Sequence, residues 1–397
     1  MISTSSTQSA FRLDEGAVLA AARERTGLDD LYEAGLDDRL TRLLAHLDTE
    51  LGLDEAGKRT AFDAVLELVV YRALMLADRE RYPEITKERI ERPIFITGLP
   101  RSGTTLLHAL FAEHPDNRAP LWWEVMRPSP PPGISPPDDP RIALTDRDVT
   151  EMLKRVPIAL QFHPYFDRLS QTIMECEAFG SLDFRNVYNP SPYFRVPAVL
   201  TVQLGGDDVA LYEFQRKALQ ALQWRRPRRR WALKGTEHHA RLDALKEVFP
   251  DAIVIWVHRD PLKSIPSIME LLHGYFSGMA ERPLDRNVVG PQVVALYKSM
   301  TDAALASPVI DDPDTCHVQY TDFVTDPIGQ VRAVCNRYDL GWTAAAGAAL
   351  KTWIEDPFNK GNRHGGAKYS LELFQMTEAE LDANFTEYRE RFGIPYE

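Results

Sequence analysis

The chain is short of three things. It has 3 cysteines, Cys176, Cys316 and Cys335, an odd number and widely spaced. They offer no disulfide framework and no C-x-x-C or Cys/His spacing for a metal, and they point to a reducing compartment. It also lacks a long apolar run. The most apolar-rich segment, Ala64 to Ala77, carries Glu67 and Arg72 and is too short to span a bilayer. The opening residues, MISTSSTQSAFRLDEG, contain no apolar signal core. These absences predict a cytoplasmic protein with no integral membrane segment. Third, positive charge is scarce. There are 46 Lys and Arg against 58 Asp and Glu, a formal net charge of -12. That excludes nonspecific nucleic-acid binding over the whole surface, though not a local basic pocket. At 397 residues a large core forms without disulfides or metals. Nothing in the composition sets the oligomeric state.

What is present is organised around Ile94 to Leu107. Ile94 to Ile96 reads as a buried strand, and Leu107, Leu110 and Phe111 carry the spacing of a helix. Between them lies Gly98-Leu99-Pro100-Arg101-Ser102-Gly103-Thr104-Thr105. A strand, a glycine-spaced loop and a helix N-terminus together aim several backbone N–H groups at one anion. The spacing is close to the nucleotide P-loop, G-x-x-x-x-G-K-[ST]. Here Thr104 stands at the lysine position, and the cation, Arg101, sits inside the loop.

Residues 1–90 have helical periodicity, as in Leu40, Leu43, Leu44 and Leu47 and again in Leu66, Val69, Val70, Ala73 and Leu74, with Arg72 expected to point away from the second stripe. They predict a helical region packed on the core formed by residues 91–397. Pro128 to Pro140 holds seven prolines and predicts an extended connection. Residues 142–224 read mostly as helix, rich in aromatics that include Phe162, Tyr165, Phe166, Tyr188, Tyr193 and Phe194. Further strands are expected at Trp231–Leu233, Ala252–Val257 and Cys316–Tyr320, alternating with helices. That alternation predicts an α/β fold with a mostly parallel sheet. Ligands in such sheets bind beyond the strand C-termini, which gathers Gly98–Thr105, Lys234–His239, Arg259–Ser267 and Asp322 on one edge.

At that edge Arg259 and Ser267, eight residues apart, suit a second phosphate; the bland alternative pairs Arg259 with Asp260 or Asp322. Lys234 and His238 face the same way if a helix starts there. His238 is then the preferred proton acceptor, with His239 and Glu124 as rivals. Glu175, Glu177, His163 and Arg185 lie among the aromatics as candidate acceptor-reading groups.

The loop resembles the phosphosulfate-binding loop of sulfotransferases that use 3′-phosphoadenosine 5′-phosphosulfate (PAPS). Arg259 with Ser267 is similar to that family's 3′-phosphate motif. Lys234 with His238, Tyr320–Pro327, Lys360-Gly361-Asn362-Arg363-His364 and Lys368-Tyr369-Ser370-Leu371 resemble its bacterial branch. The resemblance implies a P-loop-like three-layer sandwich and sulfuryl transfer from PAPS, leaving 3′-phosphoadenosine 5′-phosphate (PAP), to a small-molecule acceptor, often a hydroxyl. No metal is implied. Carried over by position, Arg101 is catalytic; Lys234 stands beside it, and the base stays open among His238, by preference, His239 and Glu124. Gly98, Pro100, Ser102, Gly103, Thr104 and Thr105 hold the phosphosulfate, and Arg259 and Ser267 the 3′-phosphate. Lys360 and Gly361 match a late 3′-phosphate segment whose arginine is Asn359 here, with Arg363 as its substitute. The competing expectations are an ATP-dependent P-loop kinase, which needs a phosphate-reaching lysine and a Mg²⁺ carboxylate, and a nucleotide-binding protein without catalysis.

Overall fold

Among the described residues, five parallel strands run side by side in the order β2-β3-β1-β4-β5. They are β1 (Ile94–Gly98), β2 (Asn117–Arg118), β3 (Arg230–Lys234), β4 (Ile253–His258) and β5 (Thr315–Gln319). The computed structural model describes residues 12–31, 36–49, 53–185, 206–227, 229–279, 284–361, 363–364 and 369–397. Tyr188, Tyr193, Phe194, Asn362 and Lys368 lie outside them.

β1 is central, and its alternation builds both faces of the sheet. Phe95 belongs to one apolar cluster, with Leu233, Val254 and Trp256 from neighbouring strands. Ile94 and Ile96 belong to the other, with Ala232, Ile255 and Val257. Helices cover each face, so the architecture is the three-layer α/β sandwich expected. The face of Ile94 packs against α4 (Thr104–Glu113), through Leu107, Leu110 and Phe111, and against the helices Pro327–Arg337 and Ala344–Glu355. The face of Phe95 packs against Asp208–Gln223, Leu242–Val248 and Pro261–Met279.

The N-terminal helices α1 (Glu15–Thr26), α2 (Leu36–Thr49) and α3 (Glu55–Arg81) join that second cluster, which runs from Leu13 to Ile394. Asp54 caps α3, accepting from the Gly57 amide at 2.7 Å. Arg72 differs from its expected place. It is 0% exposed, and its Nε donates to Asp183 at 2.8 Å, while Arg39 reaches the same carboxylate at 3.1 Å. Its partner lies far along the chain, beyond the reach of a helical-stripe argument. Pro128–Pro140 is largely irregular, with a short 3-10 helix at Pro132–Ile134.

Candidate active site

The loop after β1 is shaped by close approach. Gly98 has φ 142°, and a Cβ there would meet the Val257 carbonyl oxygen at 2.3 Å. Gly103, at φ 85°, precedes α4 and leaves room for the Tyr320 ring. Arg101 also adopts a positive φ of 68°, a strained place for a side chain with a Cβ and one that recurs at ligand clamps.

A cavity of about 220 Å³ opens at the C-terminal ends of the strands. Pro100, Arg101, Gly103, Thr104 and Thr105 form one side of it, Lys234, Thr236, Arg259 and Tyr320 line it from the neighbouring strand ends, and Phe162 to Tyr165 close it. Register explains the gathering. Ile96 pairs with Lys234 and Gly98 with Val257, so the loop, Lys234 and Arg259 leave the sheet at one level.

Arg101 donates from Nη1 to the Phe162 carbonyl at 2.7 Å, with its guanidinium 5.3 Å from the Phe162 ring centre. Its Nε is buried without a partner among the described residues, as are Ser102 Oγ and Thr236 Oγ1. Burial holds the Arg101 pKa below its ordinary value. Arg259 donates to the Arg101 carbonyl at 2.6 Å and lies 4.0 Å from the Tyr320 ring centre. Its other nitrogens grip the Glu397 side chain, the closest contact being 3.1 Å. The alternative pairing is not made: Asp260 is taken by Arg389 at 2.6 Å. These orphaned donors and paired cations fit an anionic ligand bearing more than one charged group.

Lys234 ends β3, 3% exposed, and its Nζ pairs with Glu175. Glu175 arrives on a segment tied along the strand ends: Met174 donates to the Pro120 carbonyl and the Cys176 amide to the Lys234 carbonyl. Its Oε2 is buried without a partner among the described residues.

His238 lies elsewhere. Residues 235–237 form a turn, not the start of an α-helix, and a short 3-10 helix, His238–Arg241, follows. The His238 ring points into the core, edge-on to Phe95, with Nδ1 at 2.8 Å from the Tyr212 hydroxyl and Nε2 at 3.0 Å from Cys176 Sγ. Burial, with Arg241 and His239 adding to it, pushes its pKa down to about 3, and it is not among the cavity residues. A weak base with both nitrogens engaged is a structural histidine. His239 is equally buried, its pKa pushed down to about 4 by burial. Glu124 is 0% exposed; both oxygens take Arg118 at 2.8 Å, and Arg226 and the Leu121 amide complete its shell. It holds β2 and its following turn together, away from the cavity.

The remaining candidates divide. Ser267 lies in the helix Pro261–Met279, 1% exposed and outside the cavity wall, although Ile268 and Leu271 of the same helix line it. Gly361 lines the cavity, whereas Lys360 is exposed and outside it. Arg363 is committed to Asp167 at 2.6 Å and 3.0 Å. Glu177 is buried among Glu237, Glu175 and the turn, and burial followed by those two carboxylates pushes its pKa well up. His163 lines the cavity, stacked on Phe166 at 4.9 Å. Arg185 pairs with Asp183, away from the cavity wall. Among the described residues no group of three or more His, Cys, Asp or Glu is placed to hold a metal, and no helix is long and apolar enough to cross a membrane. A larger cavity of about 580 Å³, between α3 and the helix Pro140–Arg155, shares no residue with the loop.

The central strand of a parallel sheet thus feeds a glycine loop carrying an internal arginine, and a second arginine follows the end of the neighbouring strand β4. The sequence model of the sulfotransferase family matches residues 93–344, and the chain belongs to that family: it is an enzyme of sulfuryl transfer. It is 26% identical over 337 residues, 76% of this chain and 75% of the relative, to the omega-hydroxy-beta-dihydromenaquinone-9 sulfotransferase Stf3 of Mycobacterium bovis and of Mycobacterium tuberculosis. Its fold matches the crystal structure of sulfotransferase STF9 from Mycobacterium avium with a TM-score of 0.81 at 25% identity, over 97% of this chain and 98% of that one. Sulfotransferase STF1 from Mycobacterium tuberculosis H37Rv matches with a TM-score of 0.75 at 25% identity, over 94% and 98%.

Proposed function

We propose that residues 91–397 bind PAPS at the strand-end cavity and transfer its sulfuryl group to the hydroxyl of a small-molecule acceptor, with residues 1–90 as a helical layer packed on that domain. The observation that carries this reading is the pair of arginines, Arg101 in the loop and Arg259 just past the end of β4, lining one cavity while Thr104 takes the place of the P-loop lysine. Two cations on one cavity suit a donor with more than one charged group, and a transferred group without γ-phosphate charge has no need of that lysine. The loop amides and Thr104 and Thr105 hold the phosphosulfate. Arg101 and Lys234 stabilise charge developing on the departing bridging oxygen. Arg259 takes the 3′-phosphate, and Gly361 closes that end. Ser267, Lys360 and Arg363 have lesser claims, for the positions already given. The ω-hydroxyl in the name of the mycobacterial relative supports a hydroxyl acceptor.

The test is Arg101→Ala assayed for sulfated product from PAPS. Removing one charge-stabilising donor typically costs ~3–4 kcal/mol of barrier, roughly a hundred- to a thousand-fold in kcat. An unchanged kcat would contradict the role of Arg101.

A further inference from the structure

The cavity of about 580 Å³ between α3 and the helix Pro140–Arg155 has no part in the transfer described above. It shares no lining residue with the strand-end cavity. Aromatic rings stand between the two spaces: Trp122, in the wall of the larger one, packs on Phe166 at 4.7 Å, and Phe166 stacks on His163 of the strand-end cavity at 4.9 Å. The volume suits a drug-sized molecule. Helical spacing builds its walls: Leu68 and Tyr71 follow one another along α3, and Thr145, Val149 and Met152 along the facing helix. With Trp122, Met126 and Leu144 they make a largely apolar interior.

Arg127 is the exception in that wall. It is 4% exposed. Its Nη1 donates to Thr145 at 2.9 Å, and its Nη2 to Asp148 at 2.5 Å and Glu67 at 3.3 Å. Its Nε is buried with no partner among the described residues. An unmet buried N–H is costly, which argues that an acceptor arrives with a ligand. The arginine's charge is already met by two carboxylates. An anionic ligand would face Glu67 and Asp148, and a cationic one would face Arg127 itself. The wall as a whole is balanced, with four arginines and four carboxylates, and exposed members such as Arg147 and Glu151 sit at the rim. The acceptor that fits is therefore neutral.

We propose that this cavity is a second ligand site, for an uncharged, largely apolar molecule whose carbonyl or ether oxygen accepts from Arg127 Nε. A ligand held there is walled off from the bond changes of the transfer, so the site stands whether or not the strand-end cavity takes PAPS.

The probe is benzophenone, compared with diphenylmethane, which lacks the oxygen, and diphenylacetate, which adds a charge. Calorimetry measures all three on the intact wild type, Arg127→Lys and Leu144→Trp. Arg127→Lys keeps a cation beside Glu67 and Asp148 without the Nε–H, and Leu144→Trp fills the space. Irradiation of bound benzophenone followed by peptide mass spectrometry locates it. In the wild type benzophenone is expected to bind roughly ten-fold or more tighter than diphenylmethane, the worth of a hydrogen bond to a charged group, with diphenylacetate the weakest. In Arg127→Lys that preference shrinks to within about two-fold while diphenylmethane binds as before. Leu144→Trp weakens both neutral ligands, the photolabel falls on Met126 or Met152, and saturating PAP does not displace benzophenone. A wild type that binds benzophenone no tighter than diphenylmethane, or not at all, overturns the proposal. So does a preference retained in Arg127→Lys, a label confined to residues outside the cavity wall, or displacement by PAP. Equal loss of both neutral ligands in Arg127→Lys marks a structural arginine and overturns it too.

Discussion

At the scale of single residues, Arg259 is held between competing partners. Tyr320 lies under its guanidinium, the Arg101 carbonyl takes one nitrogen, and the Glu397 carboxylate takes the others. A 3′-phosphate held by Arg259, as proposed, would have to displace Glu397, whose pair with Arg259 is partly solvated and of modest strength. Glu397→Gln is expected to tighten PAP binding roughly three- to ten-fold, whereas Arg259→Ala weakens it by at least ~1.5–3 kcal/mol, the worth of hydrogen bonds to a charged group. Calorimetry on the three proteins checks both, and unchanged affinity in Arg259→Ala would remove it from the site. The meeting of Arg101 and Arg259 at one cavity was legible in the sequence because it follows from nearby residues: a glycine loop after one strand and the end of another. Glu397 on Arg259 and Asp183 on Arg72 were not, since each pairing spans more than a hundred residues.

At the scale of elements, the loop depends on β1 and β4 lying close enough for Gly98 to pass the Val257 carbonyl. Gly98→Ala combines a positive φ with a backbone overlap at 2.3 Å. It is expected to destabilise by at least ~2 kcal/mol and to abolish PAP binding, as read from urea unfolding and calorimetry. Stability and affinity within error of wild type would contradict the packing described. β1, β3, β4 and β5 and their parallel character were readable from apolar runs alternating with helical spacing, whereas β2, only two residues long, carried no such run. The Lys234–His238 relation was not: it required a helix at a point where Gly235 and Thr236 make a turn, and that turn sends the histidine into the core. Glu175 lay among aromatics in sequence with no local cue to its pairing with Lys234. Its meeting with Lys234 follows from backbone hydrogen bonds between residues 174–176 and the strand ends.

At the scale of the whole molecule, one apolar cluster ties the N-terminal helices to the sheet, and neutral histidines are buried within the fold. Burial pushes the pKa values of His108 and His238 down to about 3 and that of His239 to about 4. In the unfolded chain each binds a proton below about pH 6.5. Between those limits the unfolded form holds more protons, so stability is complete above about pH 6.5 and is lost as pH falls toward 3 or 4. Lowering the pH from 7 to 5 is expected to cost about 2 kcal/mol for each histidine, visible as a falling urea midpoint. A midpoint constant over that range would contradict their buried neutral state.

The measurement closest to the central claim compares nucleotides on the intact chain by thermal unfolding and calorimetry. PAP, with phosphate at both ends of its ribose, is expected to bind and raise Tm. At a hundred-fold excess over Kd it stabilises by about 2.7 kcal/mol. ADP, which lacks the 3′-phosphate that Arg259 would take, is expected to bind much more weakly, and ATP with Mg²⁺ to bind no better than ADP and to undergo no turnover. No shift with PAP at millimolar concentration, or magnesium-dependent ATP turnover, would contradict the account.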